Sequence, residues 1–127
     1  MAAKDCVPAD QFAKCVVYLS PTGFGMAVIP ADRTVDMRKL AALVGWQQVR
    51  LAHESEIAFL FPDCEVGTMP PFGPIYHMPV IVDYGVAANE YIAFAVGTHR
   101  DVVRMRFDDY RRLSRPVITA LADSAAS

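Results

Sequence analysis

Three cysteines, Cys6, Cys15 and Cys64, are all this 127-residue chain has. An odd and small number excludes a disulfide framework and predicts reduced thiols in a cytosol. None stands in a C-x-x-C pair, and His53, His77 and His99 lie too far apart for an H-x-x-x-H pair. A metal centre is therefore not expected, and no other cofactor is implied. No G-x-S-x-G elbow or Walker-type loop is present. Long apolar runs are missing too. The uncharged stretch Cys15–Ala31 is broken by Ser20, Pro21, Gly23 and Pro30, short of the roughly 20 apolar residues a membrane span needs, so no membrane partner is expected. The start "MAAKDCVPAD" has no apolar core of the signal-peptide kind, so a cytoplasmic location is expected. Charge of one sign is equally scarce. Twelve basic against 14 acidic residues give a net −2, with no overall attraction to nucleic acid.

What the chain does have is core material. A hydrophobic content of 54% in 127 residues suits a single domain covering 1–127, with no repeat or linker-like segment. Only the tail "DSAAS" reads as a frayed end. "CVVYL" (15–19), the turn Pro21-Thr22-Gly23 and "FGMAVIP" outline a hairpin ending at Pro30. Asp36 is a plausible N-cap for a helix with Met37, Leu40, Ala41 and Val44 on one stripe, and Gly45 stands where a glycine ends a helix. "VRLA" (49–52) predicts a strand, and "ESEIAFLF" a short helix stopped by Pro62. "PVIVD" (79–83) and "YIAFAVG" (91–97) read as strands buried on both faces. In "VVRMRF", Val103, Met105 and Phe107 alternate with Arg104 and Arg106, which predicts a half-buried strand with its arginines outward. Asp108 is expected to cap "DYRRL", and "RPVITALAD" to form a last helix with Pro116 near its start. The whole suits an α+β domain with a mixed sheet and flanking helices.

Three features are candidates for chemistry. Lys14, in "DQFAKCVVYL", precedes a buried-looking strand, either as a snorkelling strand-end lysine or as a functional cation. His99, in "VGTHRD", follows another apolar strand, either as a turn residue or as part of a site. The segment "GTMPPFG" (67–73) is stiffened by Pro70 and Pro71 and flanked by Gly67 and Gly73. It is either a rigid connector or a preorganised set of N–H donors for a carbonyl or oxyanion. Residues 100–127 also concentrate six arginines (100, 104, 106, 111, 112, 115) against four aspartates, enough for local steering of a polyanion. Cys15, heading an apolar strand, reads as core.

The runs "FPDCEVGTMPPFG", "YHMPVIVD" and "FAVGTHRDVVRMRFDDYRRL" resemble the YbaK/ProX family. This is the aminoacyl-tRNA deacylase domain that also occurs as the editing domain of bacterial prolyl-tRNA synthetases. "FAKCVVY", "AVIPADRTVDMRKLAALVG" and "VRLAHESEI" fit in the same order, so the likeness runs from about Pro8 to Pro116. It implies a mixed, partly barrel-like β-sheet with flanking helices, and hydrolysis of the ester joining a wrong amino acid to a tRNA's 3′-terminal adenosine. The family lysine falls on Lys14 and the G-x-x-x-P loop on Gly67–Pro71. The resemblance thus implies Lys14 and Gly67 as catalytic. It implies Thr68, Met69, Pro70, Pro71, Phe72, Gly73, Gly97, Thr98 and His99 as substrate-binding, and Arg100, Arg104 and Arg106 as tRNA contacts. Asp83 matches a family aspartate with either a structural or a catalytic role.

Two departures shape what to expect. Family members carry a helix and a strand ahead of the signature lysine, whereas Lys14 stands near the start here. A homodimer partner covers the edge this leaves, or the pocket is shallower, or the domain binds the tRNA end without hydrolysing it. Thr68 replaces a second glycine and Pro70 a serine or alanine, which bears on amino-acid preference more than on fold. The partners implied are the acceptor end of aminoacyl-tRNA and, transiently, an aminoacyl-tRNA synthetase.

Overall fold

The computed structural model describes residues 11–45, 48–65 and 67–123. Its first unit is the expected hairpin. Strand β1 (Ala13–Ser20) pairs antiparallel with β2 (Gly23–Pro30) in unbroken register from Ala13 opposite Pro30 to Ser20 opposite Gly23. Helix α1 (Met37–Val44) follows, and Asp36 caps it by accepting from the N–H groups of Arg38 and Lys39, at 2.9 and 3.3 Å. Gly45 closes it in the left-handed region with φ 76°, where other residues are strained. The predicted strand at 49–52 narrows to β3 (Arg50–Leu51), paired with β1, and α2 (Glu54–Leu60) comes next.

A 3-10 turn (Gly73–Tyr76) leads into β4 (Val80–Asp83), and a four-residue helix, α3 (Tyr84–Ala87), follows directly. Then come β5 (Tyr91–Val96), β6 (Thr98–Arg106), α4 (Phe107–Ser114) and β7 (Val117–Thr119). The main sheet has the order β3-β1-β2-β4-β7, with β4 parallel to both β2 and β7. Strands β5 and β6 form a separate ribbon, joined to the lead of β1, among the described residues, by one parallel bridge between Phe12 and Ala93.

The architecture is thus α+β with a mixed, helix-flanked sheet, but the barrel-like expectation is corrected. Closure needs a continuous ladder around the ring. Among the described residues the main sheet is open, with β3 and β7 as its edges.

Alternation along the strands creates two cores. One face carries Cys15, Val17, Met26, Val28, Val80 and Val82, packed under Ile57, Phe61, Met69, Phe94 and Tyr110. The other carries Tyr18, Ala27, Ile29 and Ile81 against Leu40, Leu121 and Ala122. Each large side chain buried this completely contributes about 1.5–3 kcal/mol.

Three local expectations fail, for physical reasons. The last helix is instead β7, because Val117, Ile118 and Thr119 are β-branched and complete the sheet beside Ile81–Asp83. Beyond it, the buried Asp83 carboxylate accepts from the N–H groups of Leu121 and Ala122, both at 2.8 Å, and from Gly85 at 2.7 Å. Asp108 is not a cap. Helix α4 begins at Phe107 after Arg106, and Asp108 lies in its first turn. The alternation in β6 is also imperfect: Val103 is 40% exposed, while Val102 and Met105 are half-buried. Asp123 of the predicted frayed tail is tied to Thr34, and 124–127 lie outside the described residues. No helix among the described residues is long and apolar enough to cross a membrane.

Candidate active site

The segment after α2 is built from the inside out. Thr68 is fully buried, and its hydroxyl and N–H both donate to the Glu65 carbonyl, at 2.6 and 3.1 Å. Met69 is core, and the Phe72 ring meets Phe94 and Tyr110 at centroid distances of 5.7 and 5.4 Å. The carbonyl of the buried Pro71 accepts the Tyr110 hydroxyl at 2.7 Å. At Gly73 only hydrogen fits, since a Cβ would stand 2.1 Å from the Met78 carbonyl oxygen and 2.4 Å from a Val80 methyl. Pro70 is half-buried, and Gly67 is exposed with φ 87°.

The second predicted segment meets the first here. Gly97 N–H donates to the Thr68 carbonyl at 2.9 Å, and Glu65 N–H to the Gly97 carbonyl at 2.8 Å. The ribbon slips at this point, with Ala95 opposite Val102 but Val96 opposite Thr98. His99, Arg100 and Asp101 are therefore extruded as a bulge, a device that re-aims side chains next to sites. Thr98 Oγ1 accepts from the N–H groups of Arg100 and Asp101, both at 3.2 Å, and donates to Asp101 Oδ2 at 2.6 Å. His99 N–H donates to Glu65 Oε1 at 2.8 Å. The imidazole Cε1 lies 3.6 Å from where a Cβ on Gly67 would be. Glu65, Thr98, His99, Arg100 and Asp101 line an open cleft of about 590 Å³.

Gly67, Thr68, Gly97, Thr98 and His99 are thus brought together, with Arg100 on the same bulge. Met69, Pro71, Phe72 and Gly73 lie behind them as packing. Lys14 is placed differently. It is half-buried and pairs across the hairpin with Ile29, whose side chain belongs to the Leu40 core. Cross-strand partners share a face, so Lys14 lies on the face of β1 opposite Ala13, Cys15 and Met69. It has no hydrogen-bond or ion-pair partner among the described residues. Arg104 and Arg106 are exposed and stack on Tyr91, with guanidinium carbons 4.2 and 5.7 Å from the ring centre.

Other reactive groups are silenced. Burial pushes the Cys15 thiol up to about 12, and burial followed by the Asp63 charge raises Cys64, so neither is poised as a thiolate. Cys6 lies outside the described residues. Among the described residues no three His, Cys, Asp or Glu side chains gather as metal ligands. Burial pushes the Asp83 carboxyl up, but its three backbone donors and Arg33 outweigh this and hold it below the ordinary carboxylate range. Asp83 is a structural latch for the chain after β7. Sequence reasoning passed over Glu65. An acid two residues ahead of Gly67 was the only signal for it.

Comparison with known proteins meets this geometry. The model of the aminoacyl-tRNA editing domain matches residues 1–113. A proline--tRNA ligase of Xanthomonas campestris is 32% identical over 96 residues, covering 73% of this chain and 17% of the ligase. One from Pelobacter propionicus is 30% identical over 117 residues, covering 82% of this chain and 20% of the ligase. The chain thus spans only a fifth or less of these ligases. In fold it is similar to a crystal structure of a protein proposed to be a trans-editing enzyme for prolyl tRNA synthetase, with TM-score 0.84 and 22% identity over 97% of this chain and 77% of that one. With its glycine loop locked to the histidine bulge, the chain belongs to the aminoacyl-tRNA editing domain family.

Proposed function

We propose that this domain hydrolyses misacylated tRNA in trans, cleaving the ester between the amino acid and the 3′-terminal adenosine. The observation that carries the reading is the junction of Glu65 and Thr68 with Gly97, beside an open cleft lined by Glu65, Thr98 and His99. An aminoacyl ester is already activated, so water attacks without a serine or cysteine nucleophile. The water oxygen bonds to the carbonyl carbon, the bond from that carbon to the ribose oxygen breaks, and the ribose oxygen leaves with a proton. A neighbouring substrate hydroxyl relays that proton. Positioning and oxyanion stabilisation supply most of the acceleration.

Not every N–H of the loop is available for that task. Thr68 N–H donates to Glu65 and Phe72 N–H to Pro70, while Pro70 and Pro71 have none to give. Met69 is buried, so the N–H of the exposed Gly67 is assigned to the ester carbonyl, with His99 at the rim. Lys14, half-buried with no acidic partner among the described residues, is assigned to the phosphate or ribose of the terminal adenosine. Arg100, Arg104 and Arg106 follow the acceptor stem by charge, without reading sequence. The substrate is the acceptor end of aminoacyl-tRNA in the cytoplasm, handed over beside prolyl-tRNA synthetase.

The test incubates the protein with tRNAs mischarged with Ala, Cys, Ser or Pro, beside Lys14→Ala. Wild type is expected to release amino acid from at least one, and the variant to be slower by roughly a hundredfold. A second reading, a domain that binds the tRNA end without cleaving it, draws on the separation of Lys14 from the Met69 face. Binding without release from any member of the panel would establish that reading instead.

A further inference from the structure

Among the described residues, Glu65 makes four hydrogen bonds at the point where the two segments meet. Three use its backbone: its N–H to Gly97, and its carbonyl to the N–H and the hydroxyl of Thr68. Only the fourth, from His99 N–H to Oε1 at 2.8 Å, needs the carboxylate. The far limb of the bulge is held independently by Thr98, through Arg100 N–H, Asp101 N–H and the Asp101 carboxylate. His99 itself is exposed, and its ring Cε1 lies 3.6 Å from where a Cβ on Gly67 would stand.

We infer that Glu65 is a positioning residue for the deacylation proposed above, on which this inference rests. Its carboxylate fixes the His99 backbone and thereby sets the imidazole against Gly67. Because residue 65 clamps Gly97 and Thr68 through its main chain, a side-chain substitution removes the His99 tether and leaves the loop junction intact. Glutamine keeps an acceptor oxygen on a side chain of the same length, and alanine does not.

The experiment compares wild type, Glu65→Ala and Glu65→Gln by two readouts. The first is the NMR through-space contact between the His99 ring proton on Cε1 and the Gly67 α-protons. It is expected in wild type and Glu65→Gln and lost in Glu65→Ala. The second is kcat/KM on whichever mischarged tRNA is cleaved. It is expected to fall roughly tenfold in Glu65→Ala and to recover in Glu65→Gln. In a His99→Ala background, Glu65→Ala should cost nothing further, because the tether then holds nothing. A contact that persists in Glu65→Ala, or losses that multiply in the double variant, would overturn the inference. If Glu65→Ala does not fold, Glu65→Leu, which also lacks an acceptor, takes its place. If wild type cleaves no tRNA, the proposed function fails, while the NMR contact still decides whether Glu65 places His99.

Discussion

Residues 65–73 divide into two halves with opposite surroundings. From Thr68 to Gly73 the chain is part of the core: Thr68 and Met69 are buried, Phe72 sits among Phe94 and Tyr110, and Gly73 touches the backbone of the next turn. Glu65 and Gly67, a few residues earlier, are exposed, and Glu65 lines the cleft. The difference shows how a loop can be both stiff and open. Pro70 and Pro71 have little torsional freedom, so packing of the second half fixes the direction in which the first half leaves the core. On the proposed function, the exposed half gains its preorganisation from the side chains packed behind it. Substitutions in the buried half should therefore act on stability, and those in the exposed half on rate.

Gly73→Ala should have the largest effect. The added Cβ would overlap the Met78 carbonyl oxygen and a Val80 methyl, and the carbonyl belongs to backbone that cannot rotate aside. Overpacking of this kind costs about 3 kcal/mol. Urea unfolding should show a large fall in midpoint, with deacylation declining in step with the folded fraction. A variant as stable as wild type would mean that the second half of the segment is not core.

Tyr110→Phe should come next. It removes the hydroxyl that donates to the Pro71 carbonyl at 2.7 Å and leaves that carbonyl unpaired in the interior. The expected loss is about 1–2 kcal/mol in chemical denaturation, with kcat on a cleaved tRNA nearly unchanged. A kcat that falls while stability holds would show that the anchor reaches the reacting atoms, and would blur the division between the two halves.

The sequence made the two segments legible but not their division of labour. The hairpin, the Asp36 cap and the Gly45 stop were readable because each depends on a few adjacent residues. So was the buried character of β5, where Ile92, Ala93 and Phe94 are apolar whichever face they take. The last strand was not readable. "RPVITALAD" has helical spacing, and only the parallel partner 81–83, more than 30 residues away, makes it extended. Thr68 was expected at the substrate because the resemblance places it in the G-x-x-x-P loop; here it is fully buried, with its hydroxyl on the Glu65 carbonyl. Glu65 drew no attention, since an exposed acid before a glycine is ordinary until the bulge at His99 is seen beside it. The Thr68 bond is local, but the burial that goes with it comes from the packed core, and the Glu65 bond to His99 spans 34 residues; spacing along the chain encodes neither.

Gly67→Ala should be the mildest change in stability and the sharpest test of the division. At φ 87° a side chain is strained by about 1 kcal/mol, but the new Cβ would meet only the His99 ring carbon, at an ordinary 3.6 Å. The backbone relieves that strain by rotating, which turns the Gly67 N–H away from its direction and pushes the imidazole outward. Small displacements of a positioned group cost far more in rate than in stability. Deacylation should therefore fall at least tenfold, roughly, while the urea midpoint shifts by less than in Tyr110→Phe. If the rate falls only as far as the folded fraction does, Gly67 belongs with the packing half, and the cleft beside His99 is not where the ester is cleaved.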